Sequence, residues 1–318
     1  QLTAGLTMPV AMIGAASAAM FNTVDKNLTR LSKVYGVGLM QPTVSELQRV
    51  RKEVIGLSTE LGASLGISAK EVTDIEATTY SPHGIRISRG TSLSRNSLFV
   101  EGKIEVQDES SQILSFVVDA KRGMMVADFC AGAGGKSLAI GAIMKNTGRI
   151  YAYDISEKRI ANLGKRLKKS GLSNLFAQKI KNEKDTKLKK LHGKFDRVLA
   201  DVPCSGTGTF RRNPDLKWKN SIQDLDELNV KQLAILEEAK KLVKKEGRLI
   251  YSTCSLLKKE NELIVEAFLK QNENFKSISV DDILIKNQIP LSTGNFLKLT
   301  PNNQKTDGFF AAVFERIE

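Results

Sequence analysis

Two cysteines occupy matching places in separate stretches of the chain, Asp201-Val202-Pro203-Cys204-Ser205-Gly206 and Tyr251-Ser252-Thr253-Cys254-Ser255. Each follows a short apolar run bounded by turn residues, which reads as a buried strand. Both thiols therefore stand where a strand gives way to a loop, the place where α/β proteins put their chemistry. A thiol becomes a nucleophile only once ionised, and a basic strand-end loop favours that ionisation. The chain has three cysteines in all and only two histidines. That argues against a disulfide framework, a His-based metal site or a His-dependent triad. There is no Cys-x-x-Cys spacing either, so no structural metal is expected.

A second chemical feature is the glycine turn Asp128-Phe-Cys-Ala-Gly-Ala-Gly-Gly-Lys-Ser137. It follows an apolar run and opens a helical pattern, so its glycines let backbone N–H groups approach a ligand at a helix N-terminus. Its spacing is not that of a nucleoside-triphosphate loop. Asp154, at the end of the next strand-like run, is placed to accept hydrogen bonds from a ribose diol.

Strand and helix patterns must alternate to position these features. Residues 103–107 read as a strand and Asp108 leads a helix through Val118. Strands are expected at 124–128, 149–153, 175–178, 195–200 and 248–251, with helices at 136–144, 157–169 and 260–270. A long amphipathic helix carries Leu225, Leu228, Leu233, Leu236, Leu242 and Val243. Two closing strands, 296–299 and 308–314, are expected to pair antiparallel. Such alternation predicts a mostly parallel sheet, covered on both faces, with an antiparallel edge. This unit spans residues 96–318. Residues 1–95 are expected to form a small helical region, with Val44 to Leu61 at helical spacing, and an extended turn-rich connector at 80–90.

Composition narrows the partners. Lysine and arginine outnumber acids 48 to 35, a net charge of +13 that favours a polyanion. Aromatic residues make up only 6%, which does not suit an aromatic stacking platform. The apolar first twenty residues lack the positive charge of a secretory signal and are interrupted by Gly and Pro, so no membrane span is expected. A cytoplasmic monomer is the expected form.

In order, Asp-x-Cys-Ala-x-x-Gly-Gly-Lys, Asp-x-Pro-Cys-Ser-Gly and Tyr-Ser-Thr-Cys-Ser resemble the Nop/Sun family of S-adenosylmethionine-dependent RNA cytosine-5 methyltransferases. The segment 210–218 and the terminal Asp307-Gly-Phe-Phe310 resemble its bacterial RsmB-like branch, which acts on 16S ribosomal RNA. The resemblance covers about residues 98–316 and implies a Rossmann-like methyltransferase fold with S-adenosylmethionine as cofactor. It implies Cys254 as the nucleophile that adds to carbon 6 of cytosine, and Cys204 as the residue that assists release. Asp201 would hydrogen-bond nitrogen 3 of the base, and Lys136 would polarise the base or orient Asp201. The turn Cys130, Ala131, Gly132, Ala133, Gly134, Gly135 and Lys136 would wrap the methionine part of the cofactor, and Asp154 its ribose, with Asp201 nearby. Where the family places an acid near the adenine, this chain has Asn182, with Glu183 and Asp185 as substitutes.

Arg211, Arg212 and Lys217, just past Cys204, suit the phosphates that flank a target base. That base must be single-stranded or flipped out to reach a buried thiol. Ribosomal RNA is the expected substrate. A transfer-RNA enzyme of the same mechanism and a catalytically silent RNA-binding assembly factor are the alternatives.

Overall fold

The computed structural model describes residues 8–12, 75–87, 97–218 and 221–318. The helical pattern expected at Val44–Leu61 lies outside them. The main sheet is built from β5 (Met125–Asp128), β6 (Arg149–Asp154), β7 (Leu175–Lys179), β8 (Phe195–Asp201), β9 (Val243–Thr253), β10 (Phe275–Ile278), β11 (Leu297–Leu299) and β12 (Phe309–Arg316). Its spatial order is β10-β12-β9-β8-β5-β6-β7, with β11 beside β12. The five strands from β9 through β7 run parallel, and β12 joins β9, β10 and β11 antiparallel. The expected mostly parallel sheet with an antiparallel edge is what forms.

Helices cover both faces. On one face α1 (Glu109–Val117), α2 (Gly135–Ile143), α3 (Glu157–Ser170) and, further on, α6 (Val280–Lys286) bury Ile113, Leu114, Leu138, Leu163 and Ile283. On the other, α4 (Ile222–Ala239) and α5 (Glu262–Gln271) bury Leu236, Ile264 and Phe268. Start signals in the sequence set the helix ends. Asp108 caps α1 through Ser110 N at 3.0 Å, and Ser221 with Asp224 closes a capping box on α4. Gly171 ends α3 at φ 69°, a left-handed conformation that glycine adopts without a Cβ clash.

Three local expectations change. Leu242 and Val243 do not extend the long helix, because α4 ends at Ala239 and β9 begins at Val243. An apolar pair at a helix–strand junction is buried either way, so spacing alone did not separate the two. Phe275–Ile278 is a strand that the sequence reading left unassigned. It is exposed at two of its four residues, which masks a strand's alternation.

The stretch 80–90 contributes β3 (Gly84–Ile87) to a second, antiparallel sheet rather than a mere connector. That sheet is ordered β2 (Ile75–Ala77), β3, β1 (Met8–Met12), β4 (Ile104–Val106), so it draws on both sides of residue 95. Buried Glu109 fastens it to α1 by accepting from the N–H groups of Tyr80 and Ser81 at 2.6 and 3.1 Å. Among the described residues, no helix is long and apolar enough to cross a membrane.

Candidate active site

The chain leaves β5 for β6 and β7 on one side, then returns to β8 and β9 on the other. Loops at the carboxyl ends of β5 and β8 therefore diverge and leave a crevice, the usual ligand position in such sheets. A cavity of about 1260 Å³ opens there, lined by residues of the glycine turn, the ends of β6 and β7, and both cysteine loops.

The two thiols meet in this cavity. Cys204 Sγ and Cys254 Sγ are 3.2 Å apart, and the Cys254 N–H donates to the Cys204 sulfur at 3.3 Å. Pairing of β8 with β9 brings them together, with Asp201 opposite Ser252 in the register. The pair is not symmetric. The hydrogen bond from Cys204 draws the Cys254 thiol below its ordinary pKa in spite of burial, and Lys136 adds to the effect against the opposing charge of Asp201. The same bond, with burial, holds the Cys204 thiol well above its ordinary value. The environment therefore favours ionisation of Cys254 over that of Cys204.

Beside them Lys136 Nζ donates to Asp201 Oδ2 at 2.7 Å, and Ser252 Oγ donates to Asp201 Oδ1 at 2.9 Å. Lys136 comes from the first turn of α2 and lies 4.9 Å over the ring of Phe309. Burial works against its charge, but the adjoining Asp201 carboxylate more than compensates and keeps the ammonium above its usual pKa.

The glycine turn forms the next wall. Gly132 adopts φ +57°, and a Cβ there would point into open space. Its N–H donates to Asp154 Oδ2 at 2.9 Å, while Asp154 Oδ1 accepts from Ser156 N at 2.7 Å. Each carboxylate oxygen retains a second lone pair for a ligand hydroxyl. Gly134 faces away from the cavity at φ +83°, where a Cβ would come within 2.0 Å of Leu163 Cδ1. Its requirement is packing against α3, whereas Cys130, Ala131, Gly132, Ala133 and Gly135 line the cavity. The third thiol, Cys130, is pushed well above its ordinary pKa by burial and by Asp128, which disfavours its thiolate.

Asp128 is a site residue that the sequence reading did not single out. It is 1% exposed, accepts from Ser137 Oγ at 2.6 Å through Oδ2, and lines the cavity with Oδ1 unpartnered among the described residues. Burial raises its carboxyl to about 7, against the opposing hydrogen bond from Ser137. Exposed Ile155 and buried Ile180 give the far end apolar walls. An acceptor at one end, a carboxylate with spare lone pairs in the middle and apolar walls beyond suit a ligand that carries an ammonium, a ribose and a flat base. The residues fit S-adenosylmethionine.

Asn182 lines that far end, and its side chain accepts from Lys184 N at 3.0 Å. Glu183 lines the cavity too. Asp185 does not: its two oxygens are committed to Lys181 N at 2.8 Å and Lys187 N at 2.9 Å. It is therefore no substitute for an acid at Asn182.

Arg211 and Arg212 line the rim, but both are tied inward to Asp307, which is fully buried. Arg212 Nε donates at 2.6 Å, and Arg211 reaches Asp307 and Asp108 at 3.4 Å each. Lys217 is exposed in the short helix Pro214–Trp218 and is not among the cavity residues. No group of three or more His, Cys, Asp or Glu able to hold a metal ion occurs among the described residues.

Comparisons with known proteins place the chain in a family. A family model described as 16S rRNA methyltransferase RsmB/F matches residues 115–315. A Bacillus subtilis protein named probable ribosomal RNA small subunit methyltransferase B is 32% identical over 243 residues, 76% of this chain and 54% of its own length. Its Synechocystis counterpart is 34% identical over 255 residues, 78% and 56% of the two chains. The chain thus spans about half the length of these curated relatives. Among solved structures, NSun6 from Pyrococcus horikoshii with SFG superposes with a TM-score of 0.62 at 25% identity, covering 79% of this chain and 63% of that one. A methyltransferase homolog from Pyrococcus horikoshii superposes at 0.66 and 22% identity, over 98% and 87%, which is a likeness of fold.

Proposed function

The chain belongs to the RsmB/F family of 16S rRNA methyltransferases, which use S-adenosylmethionine, and from that footing we propose that it forms 5-methylcytosine in ribosomal RNA through a covalent cysteine adduct. The 3.2 Å contact between a depressed thiol and a raised one carries this reading. S-adenosylmethionine, when bound, supplies an electrophilic methyl group. Carbon 5 of cytosine is too weak a nucleophile to take it directly.

Cys254, as thiolate, adds to carbon 6, and the electron pair displaced from the 5,6 double bond moves onto the ring. Asp201, held by Lys136 and Ser252, faces nitrogen 3, and a proton shared between its carboxyl and that nitrogen neutralises the negative charge that gathers there. Carbon 5 then takes the methyl group. Loss of its proton to solvent reforms the double bond and expels the Cys254 sulfur. Cys204, in contact with that sulfur, serves the release. The Asp128 oxygen would receive the cofactor's ammonium, Asp154 its ribose and Asn182 the edge of its base.

Residues 96–318 are the catalytic unit in this reading, and the basic rim at Arg211 and Arg212 faces RNA phosphate, with Lys217 further out. The acting form in this reading is a monomer. A reactive thiol pair suits a reducing compartment, which supports the cytoplasm.

The test uses methyl-labelled cofactor with small-subunit ribosomal RNA, and transfer RNA as the comparison. Cys254→Ala should give no product, and Cys204→Ala should accumulate a covalent RNA–protein adduct. Full turnover by Cys254→Ala would end the covalent mechanism. Methylation of transfer RNA alone would move the substrate, and RNA binding without turnover would favour an assembly factor.

A further inference from the structure

Beneath the two cysteine loops lies Glu260, a carboxylate with 0% exposure that the mechanism above does not use. Its Oε1 accepts from Ser205 N at 2.8 Å and from Gln232 Nε2 at 3.0 Å. Its Oε2 accepts from the hydroxyls of both Ser205 and Ser255. These donors are neutral, and a carboxylate buried on neutral donors is costly enough to require a reason. Ser205 directly follows Cys204, and Ser255 directly follows Cys254. Two hydroxyls that meet on one oxygen therefore fix the separation of the residues before them. Gln232, from α4, also donates to Pro203 O at 3.0 Å, and Tyr251 donates its hydroxyl to the Glu260 carbonyl. The Glu260 side chain thus joins the Cys204 loop, the Cys254 loop and α4, and its backbone carbonyl adds β9.

We propose that Glu260 is the positioning residue of the thiol pair, joining the two cysteine loops into one unit and setting the two thiols apart in reactivity. The proposal rests on the covalent reading for its catalytic meaning, but the geometry stands without it. The charged and titratable groups that face the pair divide by side. Lys136 and Asp201 lie beside Cys254, with Arg212 from the rim loop within range of it, while Glu260 and the Tyr251 phenol lie toward Cys204. After its bond to Cys254 and its burial, the Glu260 charge adds to what holds the Cys204 thiol up. The Lys136 charge acts on Cys254 and the Glu260 charge on Cys204, which polarises two identical groups into unlike roles.

The test is pulse alkylation with iodoacetamide, in which the thiolate sulfur displaces iodide, read separately at Cys204 and Cys254 by mass spectrometry from pH 6 to 9. It needs neither RNA nor cofactor. The unmodified protein should label at Cys254. In Glu260→Gln the ratio of Cys254 to Cys204 labelling should fall about tenfold, the equivalent of one pKa unit between the two thiols. Glu260→Asp, which keeps the charge, should retain most of the preference. A folded Glu260→Gln with an unchanged ratio across the pH range overturns the proposal. If that variant does not fold, Ser205→Ala and Ser255→Ala each remove one tether and should lower the ratio. An unchanged ratio in both overturns the proposal equally. Failure of the covalent reading shows elsewhere, as turnover by Cys254→Ala.

Discussion

Cys204 and Cys254 are 50 residues apart in the chain and 3.2 Å apart in space, with the Cys254 N–H pointing at the Cys204 sulfur. Parallel pairing of β8 and β9 sets the spacing. The environment makes the two sulfurs unequal: the bond between them lowers the Cys254 thiol and raises that of Cys204, with Lys136 adding to the first effect and Glu260 to the second.

Lys136 is the cation that favours the Cys254 thiolate and holds Asp201. Lys136→Met keeps the stem and removes the charge, so the Cys254 thiol should ionise at higher pH. The expected result is about tenfold slower iodoacetamide labelling of Cys254 at pH 7, corresponding to one pKa unit. An unchanged labelling rate would remove Lys136 from the activation of the nucleophile.

Asp128 gives the molecule a pH signature. Its folded pKa of about 7 lies above the ordinary carboxyl value of 3.8, so the native state holds a proton that the unfolded chain has lost. Stability from this group is fully present below about 4 and is lost as pH rises through about 7. His83, pushed down to about 4 by burial and by Lys145, works in the opposite sense between about 4 and 6.5. The variant isolates the carboxyl. Asp128→Asn should be more stable than the parent at pH 8, by up to about 4 kcal/mol at this shift, with an advantage that shrinks toward pH 5. Parallel melting curves for the two proteins from pH 5 to 8 would contradict this.

Gly208 and Gly308 pack backbone to backbone under the Cys254 loop. Gly208 donates its N–H to Cys254 O at 2.9 Å, and Gly308 donates to Gly208 O at 2.8 Å. A Cβ on Gly208 would lie 2.3 Å from Gly308 O and 2.8 Å from Cys254 O. Gly208→Ala should therefore cost about 1–3 kcal/mol, as overpacking does, and lower kcat by displacing Cys254. Chemical denaturation and steady-state kinetics check both. Wild-type values in each would show that the loop yields freely.

Asn182 stands at the base end of the cavity, where the resembled family carries an acid. A carboxylate would accept more strongly from an exocyclic amine and could keep the Lys184 N–H bond. Asn182→Asp should tighten cofactor binding by about tenfold, the difference between a charge-assisted hydrogen bond and a neutral one. Calorimetric titration with S-adenosylmethionine measures it. Weaker binding would mean that the neutral amide is the better partner in this chain.

Order and local pattern in the sequence determined most of the sheet. Alternating apolar runs and helical spacings marked β5 through β9 and their helices, and the motif residues marked Cys204, Cys254, Asp201, Lys136 and the glycine turn. These are legible because strand, helix and turn preferences act over a few neighbouring residues. The tertiary structure decided what those residues do to one another. The sulfur contact, the Lys136–Asp201 pair and the Glu260 tether each depend on which strands become neighbours. Arg211 and Arg212 read as free basic residues until Asp307, some 95 residues later, is seen to accept from them. Asp128 and Glu260 read as ordinary acids until burial removes their water. Such pairings are non-local, and desolvation is a property of the packed interior, so neither leaves a periodic trace in the chain.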